Sequence, residues 1–217
     1  MHARQGFVAL VVVLATVMAG CGFITGQEAL SFSAEPAAVT ESAQSNTGYE
    51  EQAQESSVVT RNFSAAGQTR QVEVTNQRAR YERAVDLGPA GSQRAAVFVT
   101  FASPEVEVAT QTFNPISDMS TQEVLQRSES QYEGLSVGDR VENRSVRALG
   151  ESRTLEKFEG TATIADSEVD VYVHAAKFKH GDDDYIVTMA IYPQRLDGEA
   201  ENVVALMEGL NHDSGDE

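Results

Sequence analysis

Polar and apolar residues change rhythm several times along this chain, and each change marks a boundary. From Phe7 to Met18 every residue is apolar except Thr16, with His2 and Arg4 before the run and Ala19-Gly20-Cys21 after it. A weakly basic start, an apolar run and small residues are the order of a secretory signal. The run falls short of the roughly 20 apolar residues that span a bilayer. The pattern predicts a signal peptide over 1–20, a lipid-anchor spacer over 21–27, one domain over 28–212 and an acidic tail over 213–217. Cys21 is the only cysteine. Placed directly after the cut, its thiol is the candidate lipidation site, and two alkyl chains there would give durable attachment where one would not.

Within the domain, Leu30 and Phe32 alternate with serines, as in an edge strand. Pro36 to Ser45 reads as a short helix with Gly48 beyond its end. Its small apolar members, Ala37, Ala38, Val39 and Ala43, promise little core, and a flexible linker over 22–57 is the rival expectation. Period-two patterning begins at Val58. Strands over 58–64 and 68–85 flank Ala65-Ala66-Gly67, a hairpin turn. Val72 and Val74 share one parity while Ala79, Tyr81 and Val85 share the other, which predicts a bulge or break near Asn76. Residues 95–101 are apolar on both faces, as a central strand is, and 105–113 reads as another strand. Ser120 with Glu123 forms a capping box for a helix carrying Leu125, Ser128, Tyr132 and Leu135. Strands follow near 141–149, 154–164 and 168–179. In the last, Val169, Val171, Val173 and Ala175 alternate with Asp170, Tyr172 and His174, predicting one covered and one wet face. Residues 185–192 are apolar on both faces and end at Pro193. Asp197 is the expected cap of a final helix bearing the stripe Val203, Leu206, Met207, Leu210.

Runs of antiparallel strands with few helices argue for an α+β fold. The expectation is a mainly antiparallel sheet of about six to eight strands with two main helices packed on it, for which two ββββα halves are one arrangement.

Charge narrows the function. The chain carries 33 acidic and 16 basic residues, a net charge of −17, and only Lys157, Lys177 and Lys179 are lysines. Carboxylate excess with arginine preferred to lysine fits work at high salt, where screening shortens electrostatic repulsion to about 3 Å at 1 M. Such a surface repels nucleic acid, whose phosphates need a dominant basic patch. Yet Arg61, Arg70, Arg78, Arg80, Arg83 and Arg94 cluster against only Glu73, Glu82 and Asp86. Arg78 and Arg80 are therefore candidate partner-docking residues, with intramolecular salt bridges as the plainer reading.

Other candidate chemistry is weaker. Gly134-Leu-Ser136-Val-Gly138 has the spacing of a nucleophile elbow, but a helix precedes it and a strand follows, the reverse of what that motif requires. Asp170, Tyr172 and His174 share one strand face, with His180 and Asp182-Asp183-Asp184 near its end, a group able to hold a metal or to act as acid and base in a surface enzyme such as a hydrolase; a solvated sheet face with an acidic hairpin tip is the plainer reading. Their spacing matches no calcium loop or zinc motif. No cofactor and no metal is expected. Met119, Met189 and Met207 read as core fillers. Asn62-Phe-Ser64 and Asn143-Arg-Ser145 are candidate N-glycosylation sites.

The segments ALSFSAEPAAVTESAQSNTGYEE, VDLGPAGSQRAAVFVTF, QTFNPISDMS and VDVYVHAAKFKHGDDDYIVTMAIYPQRLDGE together resemble a family of haloarchaeal lipoproteins with no assigned activity. The likeness covers about residues 28–212. It implies a lipid-anchored protein on the outer face of the cytoplasmic membrane of a salt-loving archaeon, and no functional residues come with it. The order of sheet and helices also resembles the PsbP and Mog1 accessory domains, at the level of the fold alone. The expected function is a non-enzymatic binding or accessory module of the cell envelope. It would be held to the membrane through Cys21 and have an envelope protein as partner; the alternative is the surface enzyme.

Overall fold

Fourteen consecutive residues, Ser167–His180, form a strand whose alternate side chains enter both layers of the protein. The structure, a computed structural model, describes residues 29–212 apart from 66–67, 87–90, 109–110, 133, 165 and 182–183. Cys21, the signal segment and the acidic tail lie outside the described residues. The chain order is β1 (Leu30–Ser33), β2 (Ala38–Val39), α1 (Glu41–Thr47), β3 (Glu50–Ala65), β4 (Gln68–Asp86), β5 (Ser92–Pro104), β6 (Val106–Val108) and β7 (Gln111–Phe113). It continues with α2 (Thr121–Ser128), β8 (Ser136–Ala148), β9 (Glu151–Ile164), β10 (Ser167–His180), β11 (Asp184–Pro193), α3 (Glu199–Glu208) and β12 (Leu210–Asn211).

Eight strands form one sheet. Its path runs β4-β5-β11-β10-β9-β8, with β3 on the outer side of β4 and β1 on the inner. Every pairing in it is antiparallel except that of β1 with β4. The fold is α+β. A three-strand meander (β3-β4-β5) and a four-strand meander (β8-β9-β10-β11) meet at β5 and β11. The fourth element of the first half is the separate β6-β7 hairpin, so the segment 105–113 is not a single strand.

Register assigns each side chain to a face. On face A, Tyr81 pairs Phe98, Phe98 pairs Ala190, and Ala190 pairs His174. On face B, Arg78 pairs Phe101, Phe101 pairs Val187, and Val187 pairs Lys177. Face A is closed by α1, α3 and the β2-β12 pair, and its core includes Tyr49, Tyr81, Phe98, Ile186, Tyr192, Leu206 and Met207. Face B carries a smaller core of Leu125, Phe158, Val171, Val173, Met189 and Ile191 beneath α2. Burying a side chain of this size contributes about 1.5–3 kcal/mol, so both layers count.

Several expectations change. The parity switch in β4 is real, but no bulge lies at Asn76: β3 and β4 stay in register there, and the irregularities fall at Glu51/Ala53 and Arg83/Ala84. Val72 and Val74 face the B side while Ala79 and Tyr81 face the A core, so one regular strand serves two layers. The first helix begins at Glu41, not Pro36, and Gly48 ends it with φ 72°, a conformation glycine adopts at low cost. Ala37, Val39 and Ala43 are buried in the main core after all. The stretch before Val58 is strand rather than linker. From Gln54 to Asn62 it is exposed on both faces, which is why it lacks an apolar rhythm. Ser120 and Glu123 do form the capping box of α2, but that helix gives way to a 3-10 turn at Glu129–Gln131. The cap of α3 is Gly198, at φ 77°, in place of Asp197.

Candidate functional site

The clustered arginines part company by strand parity. Arg83 points to face A and pairs with Glu199 at the start of α3. Arg78 and Arg80, two and four residues on from Asn76, stand on face B with Arg61. Arg80 pairs with Glu82 at 2.9 Å, whereas the partner of Arg78 Nη1 among the described residues is the neutral Gln131 Oε1, at 3.2 Å. The side chain of Arg94 lies outside those described.

Face B is incompletely covered, and the gap is a groove of two lobes. The smaller, about 170 Å³, lies under α2 between Arg78, Arg127, Gln131 and Tyr132 at its rim and Val99, Phe101, Val124 and Met189 within. The larger, about 600 Å³, runs along Val59, Phe63, Val74, Phe101, Val106 and Ile116, with Arg61 and Asn62 on its border. Phe101 and Ile116 line both. Clefts of about 300–1,000 Å³ with apolar walls and few polar groups are the usual form of a small-ligand site.

The wall between the lobes is held by side chains that carry no obvious sequence signal. Lys177 Nζ donates to the carbonyls of Ile116 and Ser117 at 2.8 Å each, and also to that of Met119. Asn114 Nδ2 donates to the Ser103 and Pro104 carbonyls, and its Oδ1 accepts from the Ile116 amide at 2.9 Å. A desolvated ammonium needs several acceptors, so the loop and Lys177 fix each other. Burial pushes the Tyr132 hydroxyl pKa up, and the charges of Arg78 and Arg80 act against that rise.

Face A has charged and polar groups too, but they engage one another. Glu199 is fully buried. It accepts from Tyr49 Oη at 2.6 Å, from Asn202 Nδ2 at 3.1 Å and from Arg83. Burial, then the Glu199 charge, raises the Tyr49 pKa well above its ordinary value. Tyr81 Oη receives the Val39 amide at 2.9 Å, and burial pushes that phenol up to about 12. His212 Nε2 lies 2.9 Å from Asp184 Oδ2. Burial alone would lower the His212 pKa, but the Asp184 carboxylate outweighs it and the net shift is upward.

The supposed wet face of β10 is mostly interior. His174 is 3% exposed and its Nε2 meets Tyr192 Oη at 2.9 Å. Burial, helped by the Lys157 and Arg144 charges, holds its pKa down to about 4. Tyr172 is half-buried beneath the Lys157 ammonium, 3.6 Å from the ring centre. Only Asp170 is exposed, in a shallow polar cleft with Ser136 and Gly138. The alternation misled because Ala176, Phe178 and Tyr192 complete a hydrophobic layer on the same side. Asp170, Tyr172 and His174 therefore do not converge on a common cavity, and Asp182 and Asp183 are outside the described residues. Among the described residues no three of His, Cys, Asp and Glu are grouped to hold a metal ion, and no helix is long and apolar enough to cross a membrane. Ser136 opens β8 after a turn at Gly134, φ 64°, so the elbow-like spacing is a helix-to-strand turn. Asn143 is exposed on the edge strand β8, and Asn62 borders the larger lobe.

Residues 36–211 match the family model described as a domain of unknown function, DUF6517. A comparison with curated proteins returns no match.

Proposed function

Starting from the fact that this chain belongs to the DUF6517 family, we propose that it is a non-enzymatic binding module of the cell envelope, fastened through a lipid on Cys21. It is an extracytoplasmic lipoprotein of a salt-loving archaeon, held at the outer face of the cytoplasmic membrane, and it binds another envelope component through face B. The observation that carries the reading is the contrast in what lines the cavities. The face B lobes are apolar with arginines at the rim. The groups with the most displaced pKa values, His174, Tyr192, Tyr81 and Tyr49, are buried in face A contacts away from them. A hydrolytic site asks for the opposite, namely displaced acids and bases converging on one pocket. The acidic composition and the resemblance of the chain to haloarchaeal lipoproteins support the address.

Two measurements test this. Intact mass of the protein from its native host should show a chain starting at Cys21 with a diacyl-type addition, and an uncut, unmodified N-terminus overturns the anchor. Crosslinking in native membranes at the host's salt should recover a bound component, and Arg78→Glu with Arg80→Glu should abolish that recovery. Undiminished recovery removes the docking face.

A further inference from the structure

The strands flooring the groove, β4, β5 and β11, are interior to the sheet, each laddered on both edges. Over Val72–Thr75, β4 lies between β3 and β1. These three strands offer no free edge, and β3, which borders the larger lobe through Val59, Arg61 and Phe63, is an edge strand of the sheet. A peptide could therefore ladder only along β3, and over the apolar floor its amides would stay unpaired, which is costly. An alkyl chain has no such groups to satisfy. The larger lobe presents it with Val59, Phe63, Val74, Phe101, Val106 and Ile116.

Charge adds the second half of the ligand. In a chain of net charge −17, Arg78 and Arg127 line the same small lobe. Arg78 is the direct cross-strand neighbour of Phe101, one of two residues that line both lobes, and its guanidinium donates to Gln131 beside the small lobe. Carboxylates and phosphates are the groups that guanidinium forks bind best. We propose that the groove binds a single-chain anionic amphiphile, its tail in the larger lobe and its carboxylate or phosphate head between Arg78 and Arg127. This rests on the binding-module reading and specifies what the module holds. The wall pinned by Lys177 and Asn114 is formed without the ligand, so little of the site has to be ordered on binding.

The test is photolabelling of the full chain in its native membranes. One probe is a dodecanoate bearing a diazirine on its tail, the other the matching dodecanol. Peptides covering residues 59–63, 74–78, 99–106 and 115–119 should carry the carboxylate probe. That labelling should saturate and be displaced by dodecanoate and dodecyl phosphate. Arg78→Gln with Arg127→Gln should lower it roughly tenfold or more, the loss of a charge-assisted contact, while the unfolding temperature stays unchanged. Val59→Glu, at a position already 38% exposed and so tolerant of charge, should reduce labelling by both probes. Labelling spread outside the groove, equal labelling of the double variant, or equal uptake of the alcohol overturns the proposal. Capture of an envelope protein through Arg78 and Arg80 without saturable labelling also overturns it, while leaving the binding-module reading in place.

Discussion

The two faces of one sheet handle charge in opposite ways. On face A, Glu199, Arg83, Tyr49 and Asn202 form a closed set under α1 and α3, and His174 is matched to Tyr192. On face B, α2 and the β6-β7 hairpin leave an apolar groove, and Arg78 has a neutral amide as its partner. Buried charges that lose a partner are strongly destabilising, whereas surface charges change stability little. Face A should thus govern folding and face B binding, although both are built on the same strands.

The largest effect is expected at Glu199. Glu199→Ala strands the Arg83 charge and the Tyr49 hydroxyl, and should lower unfolding free energy by about 3 kcal/mol or more, read by urea denaturation. Arg78→Gln, on the opposite face of the strand that carries Arg83, should stay within about 0.5 kcal/mol. Equal losses at the two sites would erase the distinction between the faces.

Acid should find face A next. His174 has a folded pKa of about 4, so as pH falls from about 6.5 the unfolded chain takes up the proton first. Stability is then lost between roughly pH 6.5 and 4, by up to roughly 3 kcal/mol. His212 acts in the other direction. Its folded pKa is raised, so its contribution is full below about 6.5 and disappears as pH climbs through the folded value. Urea midpoints against pH should lose the acid limb in His174→Phe and the upper limb in His212→Asn. A face B variant that flattened either limb would contradict this assignment.

A smaller effect connects the faces to binding. Lys177→Met deprives three carbonyls of their donor and should cost about 2 kcal/mol. Amide exchange should quicken over residues 114–119 while β11 stays protected. Uniform exchange gains across the sheet would mean that Lys177 supports the whole fold and not the groove wall.

Much of this plan is legible in the residues. The interior strands announce themselves through runs apolar on both faces, such as Tyr185–Tyr192, and α3 through Val203, Leu206 and Met207, all buried; Leu210, expected as the last member of that stripe, instead opens β12 and pairs with Val39. Strand β3 is missed up to Val58 because a strand wet on both faces has no period to show. His174 is misread because alternation reports which residues are polar, not whether a second layer covers them. The arginine excess is visible as composition, but dividing Arg83 from Arg78 requires the strand face, and joining Arg83 to Glu199 spans 116 residues of chain. Lys177 and the groove's apolar lining, gathered from β3, β4, β5, β6, β11, α2 and the 114–119 loop, become a site only once the topology is known.

Hydrogen exchange on the full chain, with and without dodecanoate, tests the separation of the faces most directly. Added protection should be confined to residues 59–63, 99–106 and 114–132, with residues 199–211 unchanged. Protection appearing on α3, or none at all at saturating dodecanoate, would contradict it.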